Sequence, residues 1–310
     1  MKEHTSASAF KNEKGTVVTI GTFDGVHLGH KAIIKRLVET AKKNQLDSVL
    51  LTFYPHPRSV LQKDVGIKLL NTLTEKKALL KAQGLNHLVI HPFTQEFSRL
   101  TAVEYVRDIL VNALKAKKII IGYDHRFGRN RTANIESLRE YGQTYHFTVE
   151  EISAQELDAV AISSTKIRKA LEEGDITTAN NFLGYSYMLH GTVVKGKQIG
   201  KSLGYPTANL KIDEPSKLIP KNGVYIVTSQ IDGKNYFGLT SIGTNPTVGG
   251  TDTTIETYFL DFENDLYGKE VTLKFSKQIR EEITFSSVNE LKEAIQKDER
   301  FARQFIKNYE

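Results

Sequence analysis

Residues 16–30 read TVVTIGTFDGVHLGH, and this stretch decides the fold of the N-terminal half. Its first five residues are all β-branched, which favours a strand, and a glycine-containing segment then leads into apolar residues at helical spacing. A strand that delivers the chain to a helix N-terminus creates an anion site, because free backbone N–H groups and the helix dipole both favour negative charge. The stretch therefore predicts a phosphate-binding strand–helix junction.

The rest of the N-terminal half repeats this alternation of strand and helix. Strand-like runs occupy residues 48–53, 88–90 and 118–122, and the segments between them carry apolar residues at helical spacing. Such alternation predicts βαβ units and a parallel sheet. Residues 1–14 are polar and mixed in charge, so we expect a loose tail there.

The pattern changes near residue 185, where short runs separated by turn signals replace the alternation. The turn signals include Asp232-Gly233 and Gly249-Gly250, and the runs are residues 191–194, 223–228, 236–239, 254–259 and 271–275. This pattern predicts an antiparallel sheet or barrel. Residues 287–307 return to helical spacing, with Ser287 as the expected cap. We therefore expect a first domain over residues 15–184 and a second over 185–310.

The composition of the chain is that of a folded globular protein. A chain of 310 residues with 39% hydrophobic and 25% charged residues is typical of a folded globular protein of about two domains. It lacks an apolar run of about 18 residues, so no membrane span is expected. The chain has no cysteine, which excludes disulfides and thiolate sites, and its polar start lacks a secretory signal, so the cytoplasm is the expected compartment.

The net charge of +6 suits phosphate-rich small molecules as well as nucleic acid. The basic residues are spread along the chain instead of forming a stripe, which argues against nucleic acid.

Two groups of side chains in the first half suit phosphate chemistry. His27 and His30 are three residues apart and share a helix face, where both can donate to a phosphate that gains charge in a transition state. Metal binding also fits that spacing, but no third histidine lies nearby in the sequence. In the second group, the hydroxyls of residues 163–165 can cap a helix, and Arg168, one turn later, can clamp phosphate oxygens.

The second half contains its own group of residues suited to binding phosphate. Residues 195–201 form a basic loop punctuated by glycines, which suits a cover over phosphates. Thr207 and Asn209 are two residues apart, so in an extended strand they face the same way. Their hydroxyl and carboxamide oxygens are hard ligands that suit Mg²⁺ carried on ATP.

Together these motifs resemble a known family. Residues 21–30 resemble the N-terminal domain of bacterial bifunctional riboflavin kinase/FAD synthetases, and residues 52–57, 122–128 and 162–168 resemble further loops of that domain. The string Pro-Thr-Ala-Asn at 206–209, which follows Gly200 and Gly204, resembles riboflavin kinases. Glu256 matches the catalytic glutamate of those kinases. The resemblance covers residues 15–305 in order.

The resemblance implies a Rossmann-like nucleotidylyltransferase domain followed by a riboflavin-kinase β-barrel with a C-terminal helix. It implies that the second domain phosphorylates riboflavin to FMN, and that the first joins FMN to the AMP part of ATP, giving FAD and pyrophosphate. FMN and FAD would be substrate and product, not prosthetic groups.

The resemblance also implies roles for individual residues. Glu256 would be the general base that takes the ribityl hydroxyl proton, and His27, His30 and Arg168 would act in adenylyl transfer. Thr207 and Asn209 would hold the Mg²⁺ that accompanies ATP. The expected nucleotide-binding residues are Gly21, Phe23, Asp24, Gly29, His56, Asp124, Ser163, Ser164, Thr165, Lys195, Gly196, Gly200 and Gly204.

Two departures from the family pattern affect the kinase half. Lys201 and Asn245 stand where relatives often carry Arg, and Lys keeps the charge without the bidentate fork. One alternative is therefore a single-activity FAD synthetase with a vestigial kinase domain; another is a non-catalytic flavin-binding regulatory protein. The expected partners are riboflavin, FMN and ATP, with no nucleic acid or membrane, and the expected state is a monomer or weak oligomer.

Overall fold

A computed structural model describes residues 1–62, 66–123, 125–153, 162–196, 200, 203–247 and 250–308 of the chain. Only the backbone is described for residues 245–247 and 250–252. The chain divides into two compact units, Met1–Ser164 and Thr165–Glu310.

The first unit is built on a parallel sheet, as the sequence predicts. The strands run in the order β1-β4-β3-β2-β5-β6, and every neighbouring pair is parallel. They are β1 (Lys2–His4), β2 (Thr16–Ile20), β3 (Asp47–Tyr54), β4 (His87–Pro92), β5 (Ala116–Gly122) and β6 (Thr148–Ile152).

Helices follow the strands and cover both faces of this sheet. The helices are α1 (Leu28–Lys43), α2 (Pro57–Leu61), α3 (Leu73–Lys81), α4 (Gln95–Ser98), α5 (Ala102–Glu104), which continues as a π-helix (Tyr105–Ala113), a 3₁₀ turn (Arg129–Arg131) and α6 (Ile135–Tyr145). Neighbouring residues of one strand enter different cores: Val18 packs into one and Val17 into the other. Burial of both faces explains the continuous apolar strands.

The N-terminal segment is not a loose tail, so that prediction was wrong. It forms β1, which pairs with β4, and it buries Ala7 and Phe10 in the core of the unit. His4 Nε2 lies 3.0 Å from His87 Nδ1, and the amide of Ala7 donates to His91 Nδ1 at 3.0 Å. Two apolar side chains and these ring contacts fix a segment whose other residues are mostly polar.

The second unit is a closed antiparallel barrel, which confirms the predicted fold class. Its strands run in the order β10-β11-β8-β7-β12-β9. They are β7 (Met188–Val194), β8 (Ala208–Lys211), β9 (Gly223–Ile231), β10 (Lys234–Thr247), β11 (Gly250–Phe259) and β12 (Glu270–Glu281), and the helices are α7 (Ser164–Glu173), α8 (Ile176–Leu183) and α9 (Val288–Lys307).

The C-terminal helix α9 is joined to the barrel by apolar packing and an ion pair. Ala302 is fully buried against Ile226 and Leu239, and Arg280 makes a bidentate contact with the buried carboxylate of Asp298, with Nη2–Oδ2 at 2.8 Å. Ser287 caps α9 by accepting from the Glu290 amide at 3.2 Å, as the sequence predicts.

Residues 165–184, which the sequence analysis assigned to the first domain, cluster with the barrel. The side chain of Asn180 explains this, because it donates to the carbonyl of Phe275 at 2.8 Å and accepts from the amide of Tyr187 at 2.7 Å. Within the described ranges, no helix is long and apolar enough to cross a membrane.

Candidate active sites

The turn between β2 and α1 holds unusual backbone conformations. Phe23, Gly25 and Val26 have φ values of 47°, 91° and 37°. Positive φ suits glycine, but it is rare for a β-branched residue such as Val26. Such conformations persist only where the surroundings hold them, so the neighbours of this turn must fix its shape.

Asp24 supplies much of that fixation. Its side chain is 2% exposed, and its carboxylate accepts from the amides of Leu70 at 3.0 Å and Asn71 at 3.4 Å. Its backbone carbonyl accepts from Ser164 Oγ at 2.8 Å. The structure thus brings Ser164 to the turn from 140 residues away along the chain. A contact of Asp24 with nucleotide stays a prediction.

His27 and His30 stand together at the start of α1. His27 is the N-cap, and its Nδ1 accepts from the His30 amide at 3.4 Å. The two rings are stacked with centroids 3.6 Å apart, and the ring of Phe23 lies 4.9 Å from that of His30. Since Nδ1 of His27 is an acceptor, the proton of its neutral ring is on Nε2.

Burial keeps both rings neutral. It lowers the pKa of His27 to about 4, against the opposing charge of Asp24. Burial, followed by the charges of His27 and Lys76, lowers the pKa of His30 well below its ordinary value. At neutral pH the two imidazoles are therefore N–H donors without charge, placed where the dipole of α1 already favours an anion.

Lys76 is a residue of this site that the sequence analysis missed. It lies in the first turn of α3, is 7% exposed, and its Nζ donates to the carbonyl of Thr22 at 2.8 Å. In the sequence it sits in the charged run Glu75-Lys76-Lys77, which is typical of a solvated helix face. The available signal is the capping box of Thr72 and Glu75, which fixes where α3 begins.

The other residues that the sequence predicts to bind nucleotide in the first unit lie in helices or in the segments that precede them, except for one that the structure does not describe. Gly29 is buried in α1, and a Cβ on Gly21 would lie 3.0 Å from the Phe23 ring. His56 is the N-cap of α2, where its Nδ1 accepts from the Arg58 amide at 3.2 Å. Ser163 is half-buried just before α7, and Asp124 lies outside the described residues.

Thr165 and Arg168 lie in α7 and belong to the second unit, where Thr165 is exposed and Arg168 is half-buried. The helix begins at Ser164, as the run of hydroxyl residues predicts. The roles of Thr165 and Arg168 in adenylyl transfer stay predictions.

The barrel brings together the three residues predicted for kinase chemistry. Thr207 Oγ1 donates to Glu256 Oε2 at 3.1 Å, and the β8–β11 register places Asn209 opposite Glu256. All three side chains are half-buried, so a ligand can reach them. Hydroxyl and amide oxygens are ligands that suit Mg²⁺, and a carboxylate can accept the hydrogen bond of a ribityl hydroxyl.

Two of the predicted glycines adjoin this group. A Cβ on Gly196 would lie 2.3 Å from the Asn209 side chain, and one on Gly200 would lie 2.3 Å from the carbonyl of Tyr205. Larger residues would therefore displace the chain beside the site. Gly204 has a φ of 87°, which favours glycine.

Lys195 is exposed at the end of β7. Lys201 and the Asn245 side chain, the two departures from the family pattern, lie outside the described residues.

Comparisons with known proteins match each half of the chain to a family. The FAD synthetase family model matches residues 9–166, and the riboflavin kinase model matches residues 183–306. Bifunctional riboflavin kinase/FMN adenylyltransferases from Listeria monocytogenes and Escherichia coli are 36% and 35% identical, covering 95% of this chain and 93% and 94% of their own lengths.

A solved structure supports the fold over nearly the full length. The crystal structure of a Streptococcus pneumoniae protein named a macrolide-efflux protein has a TM-score of 0.89 to this chain at 30% identity. The match covers 97% of this chain and 98% of that one. With each half matched by its own family model and the whole length shared with these relatives, the chain belongs to the bifunctional riboflavin kinase/FMN adenylyltransferase family.

Proposed function

We propose that this chain makes FAD from riboflavin in two ATP-dependent steps. The barrel unit phosphorylates riboflavin to FMN, and the Rossmann-like unit adenylylates FMN to FAD with release of pyrophosphate. The observation that carries this proposal is that each unit has its own set of reactive side chains. His27 and His30 stand at a helix N-terminus in one, and Thr207 bonded to Glu256 lies in the other.

In the adenylyl transfer, an FMN phosphate oxygen attacks the α-phosphorus of ATP in line, and pyrophosphate leaves. The nucleophile is already an anion, so the site needs positioning and charge stabilisation instead of a strong base. His27 and His30 are neutral N–H donors, and with the amides at the start of α1 they bind phosphate oxygens as negative charge moves to the leaving group. Arg168 adds a bidentate clamp.

In the kinase reaction, Glu256 takes the proton of the ribityl 5′-hydroxyl while the hydroxyl oxygen attacks the γ-phosphorus of ATP, and ADP leaves. The hydrogen bond from Thr207 orients the carboxylate of Glu256. The substrate is Mg·ATP, and the oxygens of Thr207 and Asn209 bind its Mg²⁺. Gly196 and Gly200 leave room beside these side chains for the chain to approach the phosphates.

The test is to incubate the full chain with riboflavin, ATP and Mg²⁺ and to resolve FMN and FAD by chromatography over time. FMN should form first and FAD should follow; a parallel reaction that starts from FMN should give FAD and pyrophosphate. FAD from FMN without any FMN from riboflavin would identify the chain as a single-activity FAD synthetase. Binding of flavin without either product would identify it as a regulatory protein.

A further inference from the structure

The buried ammonium of Lys76 is the least expected feature of the first site. Its Nζ donates to the Thr22 carbonyl at 2.8 Å, and the same carbonyl accepts from Thr52 Oγ1 at 3.2 Å. Burying an ammonium costs several kcal/mol. A neutral amide could make the same hydrogen bond at a lower cost, so the charge itself requires an explanation.

The nearest compensating charge belongs to the same turn. The Asp24 carboxylate is buried, and its charge opposes the lowering of the Lys76 pKa that burial causes. Asp24 also accepts from the amides of Leu70 and Asn71, which lead into α3. Two contacts therefore fix the turn. Lys76 of α3 binds the Thr22 carbonyl, and the segment just before α3 binds the Asp24 carboxylate.

We propose that Lys76 is a positioning residue for adenylyl transfer, whose buried ammonium holds the Thr22 carbonyl and thereby the turn that carries Asp24 and leads to His27 and His30. This inference rests on the proposed FMN adenylyltransferase activity of the first unit. Lys76 acts through the turn and through His30, and it does not need to touch the substrate.

The charge of Lys76 has a second effect, on His30. The titratable groups that act on this ring are His27 on the same helix and Lys76 on α3, and both lower its pKa in addition to burial. His30 Nδ1 is buried and has no hydrogen-bond partner in the described part of the structure. A neighbouring ammonium thus disfavours the doubly protonated ring and keeps His30 as a neutral donor for phosphate.

The first test compares Lys76→Met, Lys76→Gln and Lys76→Arg with Lys81→Met, which removes an exposed lysine of the same helix. We expect Lys76→Met to lower kcat for FAD formation by about tenfold or more, as for loss of a hydrogen bond to a charged group, with smaller changes in KM. Riboflavin phosphorylation, which occurs in the other unit, should not change in any variant. Lys81→Met should match the unmodified chain.

The pH profile separates positioning from simple stability. Without the ammonium the pKa of His30 rises. The acid limb of the pH–rate profile, which is the pH range where the rate of FAD formation falls on acidification, should therefore move to higher pH in Lys76→Met. Lys76→Gln should recover part of kcat through its amide donor but keep the shifted limb, whereas Lys76→Arg should keep the limb of the unmodified chain. A Lys76→Met protein with unchanged thermal unfolding, kcat and acid limb overturns the proposal.

A second measurement does not depend on how the Lys76 variants fold. Proton NMR of the unmodified chain, with the His30 signal assigned through His30→Asn, should show a ring that stays neutral well below its ordinary pKa of 6.5. Titration near the ordinary pKa of 6.5 would overturn this inference alone. Failure of the unmodified chain to make FAD would instead contradict the proposed function, so the two results remain distinguishable.

Discussion

The rings of His27 and His30 lie face to face, with centroids 3.6 Å apart and planes 18° apart. Two imidazolium cations at that separation would repel each other strongly in a buried site, so the stack is compatible with neutral rings. Burial lowers the pKa of both residues, and the charge of His27 lowers that of His30 further. The two histidines therefore offer directed N–H groups instead of positive charges.

His30→Ala should reduce the conversion of FMN to FAD by at least about 10²-fold, the usual loss for one electrostatic donor in a transition state. The measurement is the initial rate of FAD formation from supplied FMN. Riboflavin phosphorylation serves as the internal control and should persist, because Glu256 and Thr207 lie in the other unit. Equal loss of both activities in a folded variant would contradict the two-site assignment.

Acidification should lower the stability of the first unit before its carboxylates titrate. Burial lowers the pKa of His27 to about 4 and lowers those of His4, His87 and His91, so below the ordinary value of 6.5 the unfolded chain binds protons that the folded chain does not. The contribution of these histidines to the free energy of unfolding should be complete above pH 6.5. The free energy of unfolding should then fall as the pH drops towards 4.

Urea unfolding at pH 7.5, 6.5 and 5.5, followed by far-UV circular dichroism, measures this trend. His27→Asn should flatten the dependence, because one group with a lowered pKa is gone. Constant or rising stability between pH 7 and pH 5 would show that these histidines titrate normally in the folded protein.

Arg168→Lys should weaken the use of ATP in FAD synthesis although it preserves the charge, because the planar fork is lost. The measurement is KM for ATP and kcat with saturating FMN. Lys169→Arg is a suitable comparison, since Lys169 is an exposed neighbour on the same helix. An unchanged dependence on ATP would make Arg168 a residue of the helix surface only.

Glu256→Gln removes the base but keeps the size of the side chain, so FMN formation should fall by about 10²- to 10⁴-fold. Riboflavin binding should persist, because the base acts mainly in the transition state. Rates of FMN formation and riboflavin affinity are measured side by side, with the exposed Glu263→Gln as the matched control. Normal FMN formation by Glu256→Gln would remove Glu256 from the mechanism.

Phe10→Ala should destabilise the first unit by about 3–5 kcal/mol, the usual cost of removing a buried phenylalanine. Phe10 is 5% exposed, and its ring makes edge contacts with those of His4 and His87. Chemical denaturation at pH 7.5 gives the value, and Lys11→Ala at the neighbouring exposed position should change it little. A negligible effect would mean that this segment contributes no stability.

The sequence predicts the elements whose residues carry a strong local pattern. The β-branched run of β2 and the glycines that follow it indicate both the parallel sheet and the phosphate junction. The spacing of Thr207 and Asn209 likewise predicts a group that the barrel completes with Glu256. In each case the chemistry of the motif and its local conformation agree.

Features that depend on contacts between distant parts of the chain cannot be predicted from a local sequence pattern. β1 is a polar three-residue strand that is defined by its pairing with β4, and Phe10 is the single large apolar residue of a mostly polar segment, residues 2–14. The burial of Lys76 depends on α3 lying beside the turn at Thr22, which no local pattern encodes. Similarly, Ser164 meets Asp24 only because the sheet brings together chain segments 140 residues apart.

The pairing of β1 with β4 also covers an edge of β4 that could otherwise pair with a second molecule. β1 is the outermost strand and occupies the side of β4 that β3 leaves open. A protein shortened to begin after residue 12 would present the N–H and C=O groups of β4 as a template for a strand from a second molecule. We expect such a protein to self-associate in proportion to its concentration, so the first dozen residues protect solubility as well as stability.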